Sequence, residues 1–520
     1  MRAARLAAAL PVAWAALSLS ACSRTVYEGE PNDHFTQATQ LPGACTAVGT
    51  LSSAKDVDFY RIDSSKPQNL SVFVGGIRGA DFVLSVLDAD RRELKRYDET
   101  GTGGDEQALD VGLDGGAYYI VLSDKDEKYV NGGQAYRMNV RLESPEGRER
   151  EPNDKSLQAT PIKPGALIRG HYYPSRNLLA DDTGYAEEDW FRLDVGAQGL
   201  YTLNVDASEV PGIYPVLEIY DANGYKVKEA DSQGAGNPVT LHNFGVKPPA
   251  HYLLRLRSKL PAANAQVPYE LLTELVPWQG RTEFEPNDQR LDATPFDQDS
   301  IAGTIFPEGD ADWYRVSVPE DKRFILRAEL SALAGMDLAL SLRDDIGNEL
   351  VHADNMGKEQ PEVLTGYGVR KGDYYLVVSE KTGKKADPKA TYTLAKSLTP
   401  YQEGLEWEPN DSSATAQGIK VGDSVDAYLA PKGDVDFYEF NVYTAGEIVF
   451  EITGLLNARL EATLYDQDGK ALALGACRKA GDPLSFSKAL QPGTYQVRIR
   501  APSPDEANTR DKYTFRLRAR

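Results

Sequence analysis

The sequence predicts an all-β protein made of four tandem antiparallel β-sandwiches, and three observations carry that expectation. The hexapeptide Glu-x-Glu-Pro-Asn-Asp occurs four times, at Glu28–Asp33, Glu149–Asp154, Glu283–Asp288 and Glu406–Asp411. The copies start 121, 134 and 123 residues apart, far longer than a solenoid coil and close to the common size of a self-sufficient domain. Between the copies run short period-two segments, such as Tyr495-Gln496-Val497-Arg498-Ile499-Arg500 and Tyr513-Thr514-Phe515-Arg516-Leu517-Arg518. Such alternation places one face of a strand inside and one in water. Gly, Asn, Asp and Pro clusters separate these segments at the spacing of a sandwich rather than of βαβ units.

Each hexapeptide is followed by the same landmarks in the same order. An Ala-Thr pair comes first, at Ala38-Thr39, Ala159-Thr160, Ala293-Thr294 and Ala414-Thr415 or the next pair. An acid-x-Asp-aromatic-aromatic run follows, at Asp56–Tyr60, Glu187–Phe191, Asp310–Tyr314 and Asp434–Tyr438. Next are an apolar strand ending in a turn, as in Ile219–Gly224 and Leu464–Gly469, and a Gly-x-Tyr strand at Gly116, Gly372 and Gly493, with Pro249–Tyr252 as its worn copy. The resulting modules span 28–143, 149–275, 283–398 and 406–520. The second carries an insertion at about Ser175–Ala186, because Asp154 to Asp189 covers 35 residues against 24 or 25 elsewhere. The connectors hold a Pro and a Gly within a handful of residues, so neighbouring modules are expected to touch in an elongated, jointed rod. Trp278, Tyr401 and Trp407 at the joints read as interdomain packing.

Residues 1–21 read as an export signal, with Arg2 and Arg5 ahead of an apolar core too short to span a membrane. Leu19-Ser20-Ala21-Cys22 resembles the bacterial lipobox, which implies cleavage before Cys22, acylation of that cysteine, and residues 22–27 as a tether. Ser23 rather than Asp after the cysteine points, by the same resemblance, to the outer membrane. The formal charge of −21 argues against nucleic acid, whose binding depends on Lys and Arg displacing counterions. Cys45 and Cys477 lie at non-equivalent places in different modules, so no repeated disulfide framework exists.

Taken together, Glu-Pro-Asn-Asp, Ala-Thr, Asp-x-Asp-Trp/Phe-Tyr, Leu-Tyr-Asp-x-x-Gly and Gly-x-Tyr-Tyr resemble the bacterial pre-peptidase C-terminal domain. That is a jelly-roll-like sandwich related to the collagen-binding domains of clostridial collagenases. The resemblance covers nearly all of 28–520. The family's modules usually accompany a secreted peptidase and none stands beside these, so its catalytic context does not carry over.

The openings offer only hard oxygen ligands, the type Ca²⁺ takes six to eight of. The candidate calcium ligands are Glu28, Glu30, Asn32, Asp33, Asp56 and Asp58 in the first module, and Glu149, Glu151, Asn153, Asp154 and Asp189 in the second. The third offers Glu283, Glu285, Asn287, Asp288, Asp310 and Asp312, and the fourth Glu406, Glu408, Asn410, Asp411, Asp434 and Asp436. Glu187 and the insertion make the second set the least regular. The competing reading is a Pro-Asn-Asp turn whose acids cap backbone amides or pair with Arg. It gives no task to the Glu two residues before each Glu-Pro.

No His-Glu-x-x-His, Gly-x-Ser-x-Gly or phosphate loop is present, and the five histidines do not recur at equivalent positions, so the sequence predicts no enzyme. Tyr172, Tyr173 and Tyr185 of the tyrosine-rich second module are the candidate ligand-binding residues, since exposed tyrosines suit polysaccharide or protein recognition. The expected function is therefore a lipid-anchored envelope protein that binds matrix, polysaccharide or a protein partner. The alternative is a structural spacer or accessory subunit of an envelope complex.

Overall fold

A computed structural model describes residues 24–520 except 130–132, 175–186, 197 and 355. The signal segment, Cys22 and Tyr185 lie outside the described residues. Regular structure is almost entirely β, relieved by single 3-10 turns such as Phe35–Gln37. No helix among the described residues is long and apolar enough to cross a membrane.

The first repeat shows how the strands are ordered. It contains β1 (Thr25–Tyr27), β2 (Thr39–Leu41), β3 (Cys45–Gly49), β4 (Val57–Ser64), β5 (Gln68–Val74), β6 (Phe82–Leu87), β7 (Glu93–Tyr97), β8 (Glu106–Leu113), β9 (Gly116–Asp124) and β10 (Tyr136–Glu143). They form two sheets, β1-β3-β10-β5-β8 and β2-β4-β9-β6-β7. In β4 the alternation Asp58, Tyr60, Ile62 inward and Val57, Phe59, Arg61 outward follows from the period-two pattern. Leu70, Val72, Met138 and Val140 of one sheet share a core with Tyr60, Ile62, Leu84 and Ile120 of the other. The later repeats reproduce this order in a four-stranded and a five-stranded sheet each, without a counterpart of β1.

Not all pairing is antiparallel. Thr39–Leu41 runs parallel to Val57–Ser64, and Thr160–Ile162, Thr294–Pro295 and Gln417–Gly418 do the same in their repeats. The last of these places Gln417, not Thr415, opposite Tyr438, as Thr39 stands opposite Tyr60. The fourth copy of the Ala-Thr landmark is therefore Ala416-Gln417.

The described residues of Met1–Gly196, Val205–Thr240 and Pro249–Glu274 form one compact unit. Those of Ala197–Asn204, Leu241–Pro248 and Leu275–Arg520 form the other. The boundary thus falls inside the second repeat, and the physical reason lies in the openings. Each of the three later openings is hydrogen-bonded to a strand of the repeat before it, the first two as short parallel bridges: Gly112 N–H donates to Glu151 O (2.8 Å), Gly245 to Glu285 O (2.6 Å) and Gly368 to Glu408 O (2.9 Å). The residue between the two glutamates lies on that same glycine. A Cβ on Gly368 would come 2.5 Å from Trp407, and one on Gly245 would overlap Phe284. Trp278 packs edge-on to Phe284 at 5.1 Å, and Tyr401 to Trp407 at 5.1 Å, so the joint aromatics do serve packing. Cys45 and Cys477 form no disulfide.

Candidate cation site at the start of each repeat

The opening loop is held to the strand start by one recurring main-chain bond. The carbonyl of Asn32, Asn153, Asn287 or Asn410 accepts the N–H of the aromatic after the strand aspartate, Phe59, Trp190, Trp313 or Phe437, at 2.9–3.0 Å. The loop is closed on its other side by a side chain: Thr39, Thr160 and Thr294 Oγ1 accept the N–H of the residue between the glutamates, and Gln417 Oε1 does so in the fourth repeat. The sequence-predicted acids of each repeat therefore converge, although the opening and the strand aspartate are 24 to 35 residues apart in the chain. The Glu-Pro peptide of every opening is cis.

Around the convergence point the four asparagines and the four strand aspartates, Asp58, Asp189, Asp312 and Asp436, are fully buried. The first glutamate uses one end of its carboxylate to accept a backbone N–H from the neighbouring strand: Thr50 to Glu28 (2.7 Å), His171 to Glu149 (2.9 Å), Thr304 to Glu283 (2.9 Å) and Tyr428 to Glu406 (3.0 Å). The acid that begins the strand run caps its own loop, as Asp310 accepts from Phe306 N–H and Asp434 from Ala430 N–H, both at 2.7 Å. Amide capping thus accounts for part of the acid set. It leaves Glu28 Oε2, Asn287 Oδ1, Asp312 Oδ1 and Glu406 Oε1 without partners inside the fold. Glu28, Glu30 and Asp58 bring ligand atoms within 4.8 Å of one another, as do Glu30, Asp33 and Asp56.

Burial and mutual repulsion make these carboxylates resist ionisation. Burial, then the Glu28, Asp56 and Glu30 charges, raise Asp58 to about 8 against the opposing hydrogen bond from Tyr136. Burial and then Glu285 raise Glu283 to about 7. Asp312 and Asp436 are pushed well above the carboxylate range, by burial first and then by Asp310 and Glu406 respectively. A hard cation would relieve both burial and repulsion, and the donor set of asparagine and carboxylate oxygens fits one in the first and fourth repeats.

Sequence reasoning missed one recurring partner. Tyr136, Tyr269, Tyr392 and Tyr513 reach from the last strand of each repeat and donate to the strand aspartate, at 2.6, 2.9, 2.6 and 2.6 Å. Tyr60, Tyr314 and Tyr438 bond that tyrosine in turn, and Phe191 breaks the pair in the second repeat. The signal was a tyrosine 77 to 80 residues after each strand aspartate. A glycine makes room for the arrangement: a Cβ on Gly303 would lie 2.5–2.6 Å from both tyrosine hydroxyls and Glu283. Gly49 and Gly170 occupy the same place, and the fourth repeat has Ala427 there.

The second opening glutamate differs between repeats for a plain reason. Glu30, with no repeat before it, is exposed, whereas Glu151 and Glu285 are buried under the preceding strand. The second repeat departs further. Glu187 joins Glu151 and Asp154, and Lys95 of the first repeat stands among them.

The tyrosine surface expected on the second module is not formed by Tyr172 and Tyr173. Tyr172 is buried edge-on to Tyr269 at 5.1 Å, and Tyr173 to Tyr97 of the first repeat at 5.5 Å. Their apolar bodies are used in packing, which leaves no face for a ligand. Among the described residues the exposed aromatics Tyr27, Phe73, Tyr225 and Tyr443 sit at non-equivalent places.

No family model matches the chain. Among solved structures it is similar to the pre-peptidase C-terminal domain of a collagenase from Bacillus anthracis, with 17% identity over 20% of this chain and 94% of that one, at a TM-score of 0.18. It is also similar to a secreted protein from Eubacterium rectale, with 14% identity over 48% of this chain and 84% of that one, at a TM-score of 0.15. A third is an archaeal virus protein with a triple jelly-roll fold, with 10% identity over 64% of this chain and 81% of that one, at a TM-score of 0.18.

Proposed function

We propose that this chain is a non-catalytic lipoprotein of the bacterial cell envelope, anchored through Cys22 and built of four β-sandwich modules of the pre-peptidase C-terminal type. Calcium at the module openings sets the joints. The observation that supports this reading is that the residues keyed to the preceding repeat, Glu285 and Glu408, belong to the same loops as the acids. A cation held by the side chains would fix the loop whose backbone makes the joint, so metal and joint are one device. Glu28 and Glu30 of the first repeat would hold the same ion next to the tether.

The burial of Tyr172 and Tyr173 and the absence of a matched aromatic patch among the described residues favour an accessory role in an envelope assembly over adhesion. Capture of the lipidated protein from crosslinked cells, once in calcium and once in chelator, tests this. A stoichiometric envelope protein recovered in calcium is the expected result. Retained polysaccharide or matrix without a protein partner refutes the accessory role, and Cys22→Ser protein that stays with the membrane refutes the anchor.

A further inference from the structure

The second repeat's acid cluster already contains a cation. Lys95, on β7 of the first repeat, has a nearly buried side chain whose Nζ lies 2.8 Å from Glu151 Oε2 and 3.2 Å from Asp154 Oδ1. It also hydrogen-bonds Glu187 Oε2. An ammonium has three hydrogens, and three carboxylates take them. The Tyr173 ring lies 5.9 Å from the same nitrogen and packs edge-on against Tyr97 at 5.5 Å.

What the lysine leaves over is the second observation. Glu151 Oε1, Asn153 Oδ1, Glu187 Oε1 and Asp189 Oδ1 have no partner, and all four residues are more than nine-tenths buried. Three donors do not satisfy a pocket with this many acceptors, whereas an ion with six to eight oxygen ligands would. The donor set is that of a metal site, and its occupant is a side chain. We propose that Lys95 replaces the divalent cation in the second repeat, so that this joint is set without metal and removal of Lys95 uncovers a metal site.

The strand register repeats the lysine once and then supplies a contrast. Lys95 lies opposite Val86, the corresponding position in the second repeat again holds a lysine, Lys228, and that in the third holds Val351. Where valine stands, a cavity of about 220 Å³ opens between Val351, Tyr367 and the fourth repeat's Glu408, Asp411 and Asp434, with Lys432 also in its wall. The lysine stem fills the equivalent place in front of Glu151, Asp154 and Glu187.

The inference rests on reading the acid clusters as cation sites, and its test separates the two. Terbium(III), a calcium stand-in whose luminescence is sensitised by nearby aromatics, is titrated into the wild-type full chain and into Lys95→Met. The expected result is one additional bound ion in Lys95→Met, competed by calcium, with melting that becomes more calcium-dependent than in wild type. Equal numbers of bound ions in the two proteins overturn the proposal. So does an anomalous peak among Glu151, Asp154 and Glu187 in terbium-soaked wild-type crystals. Should Lys95→Met fail to fold, Lys95→Met with Glu187→Gln, which restores the local charge, is titrated and judged by the same criterion. A wild type that binds no terbium beside a Lys95→Met that binds one upholds the lysine and sinks calcium at the other repeats.

Discussion

Removing calcium should make this protein less stable as pH rises, the reverse of the usual behaviour of salt-bridged carboxylates. Burial and its acidic neighbours raise Asp58 from 3.8 to about 8 in the fold, so the protonated carboxyl is the form the fold prefers. Its contribution is fully present below pH 4, shrinks as pH rises, and is lost above pH 8. Between pH 5 and pH 8 that loss is about 3.5 kcal/mol for Asp58, from the linkage relation. Glu283, raised from 4.5 to about 7, loses about 2.5 kcal/mol over the same window. The two residues lie in different compact units. At about 2–4 °C per kcal/mol for units of this size, the unit holding Asp58 should melt about 10 °C lower at pH 8 than at pH 5 in chelator. Calcium should abolish or invert that slope, since it favours ionised ligands and binds more tightly as they deprotonate. Scanning calorimetry at both pH values, in chelator and in millimolar calcium, reads the effect, and Asp58→Asn should remove the Asp58 share of it, about 3.5 kcal/mol, from the first unit. A melting temperature in chelator that is equal or higher at pH 8 would refute the reasoning.

Two further perturbations address the geometry. Tyr392→Phe deletes the hydroxyl that donates to Asp312 at 2.6 Å and leaves the carboxylate short of a donor, so urea denaturation should show a loss of about 2 kcal/mol. A loss under 0.5 kcal/mol would mean that the tyrosine pair is incidental. Gly303→Ala puts a methyl against Tyr314, Tyr392 and Glu283, and should cost about 2 kcal/mol or more. Gly357→Ala, with open space around it, is the control and should melt as the wild type does.

Much of the site was legible because its residues are repeated. A hexapeptide that recurs with an acid-x-Asp run about 25 residues later marks two segments that must meet, and the Asn carbonyl bond shows where they do. Alternation such as Tyr513-Thr514-Phe515 predicted strands correctly because one face of each is buried. Pairing partners were less legible. The parallel placement of Thr39–Leu41, and the role of Gln417 in place of a threonine, depend on which backbone lies alongside, and local sequence does not encode that.

The chain by itself determined the four-fold plan, the acidic openings and their all-oxygen chemistry, since composition and spacing are properties of the string. Only the tertiary structure decided which groups the acids meet. Tyr136, Tyr269, Tyr392 and Tyr513 arrive from the far end of each repeat. Tyr172 and Tyr173 turn inward because other tyrosines wait there. Lys95 enters another repeat's pocket because the opening loop is bonded to β8, and β7, at the edge of the other sheet, packs beside β8 and reaches the acids. A buried charge is satisfied by whatever lies within about 4 Å of it. That distance is set by packing between segments, on which sequence neighbours have no bearing.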